Sequence, residues 1–247
     1  MYHFFVSPDQ VGDREITIEG SDVNHIRNVL RMKPGEQVML CTGQDSREYR
    51  CEITEITETY VRAGILEVKE NGAELPSRLY LFQGLPKSDK MELIIQKAVE
   101  LGVYEVVPVV TRRTVVKLDA KKEEARRKRW NAISESAAKQ SKRMLIPNIS
   151  PVMDFRRALE YAGSLDVKLI PYELAEDMGK TRKIMEDIRP GQSVGIFIGP
   201  EGGFEEAEVE LAMEKGVVPV TLGKRILRTE TAGLALLAVL MFHLERR

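Results

Sequence analysis

Two cysteines and three histidines in 247 residues leave little material for thiol or imidazole chemistry. Cys41 and Cys51 are too few for a disulfide scaffold, and no Cys or His spacing resembles a metal-ligand set, so no metal is expected. Membrane-length apolar runs are lacking as well. The stretch Ala232–Phe242 is about half of the ~20 residues a span requires and reads as a buried helix. The opening MYHFFVSPDQ has neither a basic stretch nor a long apolar core, so no signal peptide is read there and a cytoplasmic protein is expected. Net charge is nearly absent too. With 37 Lys and Arg against 38 Asp and Glu, the whole-chain charge points to no partner.

What is present, 43% hydrophobic and 30% charged residues, fits a globular protein of one or two domains with a sizeable core. Its charge is unevenly spread. From Arg112 to Arg143 stand twelve Lys and Arg against four Asp and Glu. Basic helix faces are often merely solvated, but an excess this one-sided favours a phosphate-rich partner.

Residues 1 to about 70 read as a small β-rich unit. EITIE alternates as a half-buried strand does. SDVNHIRNVLR reads as a helix with Ser21 as N-cap and Val23, Ile26, Val29 and Leu30 on one face. After the turn KPGE come the strands VMLCT, YRCEITEIT and YVRAGILEV. With no helix between them they should pair antiparallel and close as a barrel. Tyr2, Phe4 and Phe5 are expected in the core. The polar segment 69–77 reads as a linker. Beyond it strands and helices alternate. RLYLFQGL, EVVPVV, DVKLIPYE, VGIFIG and VPVTLG are strands, Pro108 suggesting an edge or an end, and a basic helix covers roughly 119–142. Such alternation implies a mostly parallel sheet covered on both faces.

Two loops follow strand ends, where open α/β sheets bind ligands. The first, GPEGGF, lacks the signatures of nucleotide phosphate loops, and Glu201 would repel phosphate. Its glycines let the backbone approach a ligand closely. The carboxylate suits a cationic ligand or the orientation of an arginine, against the plainer alternative of a glycine turn with a solvated glutamate. The second, LGKRILRTETAG, interleaves Lys224, Arg225 and Arg228 with Leu222, Ile226 and Leu227, an apolar wall suited to an adenine ring. Thr229 or Thr231 would cap the final helix.

IGPEGGF followed by LGKRILRTETA resembles the paired C-terminal motifs of the RsmE family, SPOUT-superfamily methyltransferases of uridine N3 in 16S ribosomal RNA. FF at 4–5, HIRNVLRMKPGE, KSDKMELIIQKAVELGV and AAKQSKR extend the resemblance over nearly the whole chain, with Lys139 in place of that family's usual Glu. The resemblance implies a PUA-like RNA-binding β-barrel domain over 1–72. It implies an α/β SPOUT methyltransferase domain with a deep trefoil knot over 73–247, and a homodimer formed through the knotted part. It implies S-adenosylmethionine against Ile198, Gly199, Pro200, Glu201, Gly203, Leu222, Gly223, Ile226, Leu227, Thr231 and Ala232.

Uridine N3 becomes nucleophilic once its proton leaves. Arg228 is the expected cation for the charge then spread over the uracil oxygens. Glu230 would either orient Arg228 or accept the proton. His25, Arg27, Arg31, Lys87, Lys90, Arg112, Arg113, Gln140 and Arg143 are the expected contacts to 16S ribosomal RNA, within the small ribosomal subunit. Arg27 and Arg31 would share one helix face. Competing readings are a 2′-O-ribose methyltransferase of the same superfamily and a non-catalytic RNA-binding assembly factor. The N-terminal domain and the intact Arg-Thr-Glu-Thr loop argue against them.

Overall fold

Period-two burial shapes the N-terminal sheet. Strands β1 (Tyr2–Phe5), β2 (Glu15–Glu19), β3 (Gln37–Cys41), β4 (Arg47–Ile56) and β5 (Tyr60–Glu70) lie in the order β1-β3-β4-β5-β2. Ile16 and Ile18, Val38 and Leu40, Cys51 and Ile53, and Val61 and Ala63 all turn into one core. β3, β4, β5 and β2 pair antiparallel, whereas β1 joins β3 in parallel. Register shifts in β4 at Arg50/Cys51 and Ile53/Glu55 curl the sheet around that core. This computed structural model describes residues 1–70, 72–173, 175 and 177–245. It divides into one unit of residues 1–74 with 138–146 and another of 75–137 with 147–247.

The helical piece of the first unit departs from the expected regular helix. Gly20, at φ +75°, holds the N-cap position instead of Ser21, and α1 (Ser21–Asn24) runs into a π-helical turn, His25–Val29. Leu30 N–H bonds to His25 O, five residues back. The extra residue in that turn leaves Val23 and Ile26 buried but turns Val29 out to 60% exposure. Arg31 then adopts φ +53° and ends the helical path, so it shares no helix face with Arg27. Arg27 meets Glu58 at 3.4 Å. Phe4 is buried as expected, but Tyr2 is half exposed.

The polar segment 69–77 does more than connect. Glu74 accepts the Arg143 guanidinium, with Nη2 at 2.6 Å, and the N–H groups of Met144 and Leu145 at 2.9 and 3.1 Å. Arg143 is only 4% exposed, so this expected RNA contact is a buried structural ion pair. Lys139 likewise reaches Asp22 of α1 at 3.3 Å. Residues 138–146 are thereby tied into the first unit.

In the second unit every strand pairing is parallel. β6 (Arg78–Gly84), β7 (Val103–Val110), β8 (Asn148–Ile149), β10 (Val167–Pro171), β11 (Ser193–Ile198) and β12 (Val218–Val220) lie in the order β12-β10-β11-β6-β7-β8, and β9 (Met153–Asp154) also joins β7. The outer side of β7 pairs with β8 at Glu105–Val106 and with β9 at Val109–Val110. Pro108 falls in the gap between them, where no donor is needed, although β7 is not the edge strand.

Strands covered on both faces carry continuous apolar runs. Phe82 and Phe197 stack at 4.4 Å and share a core with α4 (Phe155–Tyr161) and α6 (Glu206–Glu214). On the opposite face Gly233 of α7 (Thr229–Leu244) lies against Leu81 and Ile198, and α2 (Lys90–Glu100) packs beside α7. Gly102, at φ +85°, follows the end of α2 as expected. The basic helix is α3 (Ala120–Gln140), and α5 (Met178–Asp187) precedes β11. α7 is not buried all round. Leu236, Leu237 and Leu240 are covered, while Val239 and Phe242 are 50% and 84% exposed.

Glu74→Ala removes the carboxylate against which Arg143 is buried. Urea denaturation should show a loss of about 3–5 kcal/mol, the range for breaking a buried pair from one side. A loss below about 1 kcal/mol would mean the pair is not what holds 138–146 in place.

A candidate active site at the carboxyl ends of the central strands

Because β10, β11 and β12 run parallel, their carboxyl ends meet in one row, and the loops leaving them enclose a cavity of about 950 Å³. Residues 171–173 end β10 and begin its loop, residues 198–204 end β11 and its loop, and residues 221–228 follow β12. Lys90, Arg113, Ala175, Met178, Thr229 and Ala232 complete the lining.

The loop after β11 is rich in glycine because backbone meets backbone there. Gly203 N–H closes a tight turn on Pro200 O at 2.9 Å, with Gly203 at φ +68°, a region glycine enters without strain. A Cβ on Gly84, at the end of β6, would stand 2.6 Å from Pro200 N, and one on Gly199 would stand 2.9 Å from Gly203 C.

The first turn of α7 is fastened to the same place. Arg228 holds the N-cap position and no side chain caps the helix, so neither Thr229 nor Thr231 plays the capping role expected of it. Thr229 Oγ1 instead donates to Gly199 O at 2.6 Å and accepts from Gln83 Nε2 at 2.8 Å. Gln83, fully buried on β6, also donates to Gly84 O at 3.0 Å.

Charge is arranged around this frame. Glu201 accepts Lys87 N–H at 3.0 and 3.3 Å and lies 3.1 Å from Lys90 Nζ, so it orients no arginine. Partial burial works against its charge, yet its own backbone N–H, Lys90 and the Lys87 N–H outweigh that and hold its carboxyl below the ordinary value. Lys90 is held above its ordinary value chiefly by its hydrogen bond to Glu201, with Glu230 adding to it. Its Nζ lies 3.4 Å from Glu230 Oε2. Arg113 Nη1 donates to Gly202 O at 2.8 Å, and Arg112 N–H to Glu208 Oε1 at 2.9 Å.

Ile198, Gly199, Pro200, Glu201, Gly203, Leu222, Gly223, Ile226, Leu227 and Ala232 all line the one cavity, as does Arg228. Ile226 is 88% exposed and walls it only in part. Thr231 is exposed and off the lining, two residues past Thr229 on the helix, and Glu230 is reached through Lys90. Among the expected RNA contacts, Lys90 and Arg113 belong to the cavity wall. Lys87 and Arg112 are exposed beside it, and His25, Arg27, Arg31 and Gln140 are exposed elsewhere.

Gln83, Pro171, Tyr172, Glu173 and Met178 were not foreseen. The end of DVKLIPYE carried the signal for Pro171–Glu173, since in a parallel sheet a third strand must finish beside the other two. Nothing in the sequence marked Gln83 inside an apolar strand. Among the described residues no group of three or more His, Cys, Asp or Glu could hold a metal ion. No described helix is long and apolar enough to cross a membrane.

Residues 73–241 match a family described as RNA methyltransferase domain, and residues 18–66 one described as RNA methyltransferase PUA domain. A ribosomal RNA small subunit methyltransferase E of Bacillus subtilis (strain 168) is 40% identical over 232 residues, covering 93% of this chain and 90% of that protein. The protein of the same name from Mesomycoplasma hyopneumoniae (strain 232) is 35% identical, over 96% of this chain and 97% of its own length. The crystal structure of a ribosomal RNA small subunit methyltransferase E from Neisseria gonorrhoeae bound to S-adenosyl methionine matches with a TM-score of 0.84 and 34% identity. That match covers 98% of this chain and 97% of the other.

Thr229→Val keeps the shape of the side chain and deletes both hydrogen bonds. Stability in urea should fall by about 1–3 kcal/mol, because Gly199 O and Gln83 Nε2 lose a buried partner. An unchanged midpoint would show that the hydroxyl does not hold the loop.

Proposed function

Since the chain belongs to the family of ribosomal RNA small subunit methyltransferases E, we propose that it methylates N3 of one uridine in 16S ribosomal RNA from S-adenosylmethionine. The observation that carries this is the cavity itself, a glycine-edged space between three parallel strand ends with Arg228 on its wall. Its volume is in the range of small-molecule sites. Gly203 and Gly223 have positive φ and open space where a Cβ would stand, and Ile198, Leu222 and Leu227 supply apolar walls. That combination fits an adenine and ribose held between backbone and aliphatic side chains.

When bound, S-adenosylmethionine supplies a sulfonium methyl that leaves sulfur, with the bonding electrons staying on sulfur, as the bond to N3 forms. The chain's own residues align the base and deal with its proton and charge. Glu230 takes the N3 proton. Its described ionic partner is Lys90 and not Arg228, which favours acceptance over the orienting of Arg228. Arg228, exposed on the cavity wall, faces the negative charge that spreads over the uracil oxygens. Lys90, Arg113, Lys224, Arg225 and Arg228 on the lining outweigh Glu173 and Glu201, a balance suited to an RNA strand. The substrate is the RNA within the small ribosomal subunit, which places the protein in the cytoplasm.

Two further features belong to this reading. From β12, at one edge of the sheet, the chain returns to the sheet centre at Thr229, the passage a C-terminal trefoil knot requires. The exposed apolar face of α7, with Val239 and Phe242, is suited to a second copy of the chain. Phe242→Glu should turn a dimer into a monomer in sedimentation, and a wild-type monomer would remove the dimer from the reading.

The activity is tested on small subunits from a strain lacking the gene. N3-methylation blocks the Watson–Crick edge, so reverse transcription should stall at one uridine after treatment with the enzyme and S-adenosylmethionine. Arg228→Ala should lower turnover by about 10²–10³-fold with little change in donor affinity. A ribose-methyl product would overturn the N3 assignment, and absence of any transfer would leave an RNA-binding role.

A further inference from the structure

Lys90 was expected on the RNA. It stands instead between two carboxylates that come from distant parts of the chain. Its Nζ is 3.1 Å from Glu201 Oε1, in the loop after β11, and 3.4 Å from Glu230 Oε2, in the first turn of α7. We propose that Lys90 is a positioning residue for methyl transfer, bridging Glu201 and Glu230 so that the Glu230 carboxylate stays aimed as the proton acceptor. This rests on the role given to Glu230 above.

Three observations converge on it. Glu201 is anchored, since both of its oxygens also take Lys87 N–H, so it serves as the fixed end of the bridge. Glu230 Oε2 is buried, and the Lys90 ammonium at 3.4 Å is its described ionic partner. The segment carrying Lys90 is also held in place. Ser88 adopts φ +56°, uncommon for a residue with a side chain, and lies between the Lys87 N–H and the Lys90 ammonium that both meet Glu201. Arg228 stands two residues before Glu230 in the chain, and the uncharged Gln83 of β6 meets Thr229 in the same turn.

Without the ammonium, two carboxylates would face each other across the gap it fills, and Glu230 would swing away. A phosphate contact would behave differently, since it would set RNA affinity and leave the acceptor alone.

The test is a double-mutant cycle with S-adenosylmethionine and under-methylated small subunits. Lys90→Met should lower kcat by roughly 10–100-fold, less than the roughly 10²–10⁴-fold of losing a general base outright, with donor affinity by calorimetry and KM for the subunit nearly unchanged. Lys90→Arg should restore much of it. Glu230→Gln should be slow by itself, and Lys90→Met should then cost nothing more, because the residue through which it acts is gone. Lys90→Gln repeats the measurement if Met disturbs the fold. Full additivity of the two changes, or a Lys90→Met variant with normal kcat, a raised KM and a salt slope reduced by about 1, would overturn the proposal in favour of a phosphate contact. A fast Glu230→Gln enzyme would instead remove the acceptor role of Glu230.

Discussion

One hydroxyl group holds the working end of the molecule together. Thr229 Oγ1 joins a glycine carbonyl 30 residues earlier in the chain to a glutamine amide 146 residues earlier, with no water needed between them. Gln83 belongs to β6, Gly199 follows β11, and Thr229 begins α7. The backbone approach of Gly84 to Pro200 is possible only without a Cβ. If that junction slackened, the cavity would lose the common edge from which its loops depart, and Lys90 would have no fixed pair of carboxylates to span.

Electrostatics then divides the labour. The cavity is cation-rich, but its cations are not equivalent. Lys90 is committed to carboxylates and Arg113 to a carbonyl, whereas Lys224, Arg225 and Arg228 are exposed. Charges tied into the frame keep geometry, and solvated charges are free to meet a polyanion at little desolvation cost.

The architecture was legible where a residue's type follows from its own strand or helix. EITIE alternates, Gly102 ends α2, and the alternation of strands and helices foretold a parallel sheet, at whose carboxyl ends a cavity lies. Ten of the eleven residues expected around the donor surround one cavity, and Thr231 does not. What escaped was set by partners far away in the chain. Arg143 looked like any basic residue until Glu74 buried it. Thr229 looked like a cap until Gln83 and Gly199 claimed its hydroxyl. Local periodicity also could not show that one additional residue in the turn at 25–29 would expel Val29 and separate Arg31 from Arg27.

The first unit is closed by residues 138–146, which carry Arg143 to Glu74. On the ribosome this imposes a delay. The strands of the N-terminal sheet emerge early, but the segment that neutralises Glu74 follows some 70 residues later, roughly 4–15 s at ordinary elongation speeds. Through that interval the nascent sheet waits with a carboxylate where its cation will be. Its final locking is therefore postponed until β6, α2, β7 and α3 of the other unit have been made.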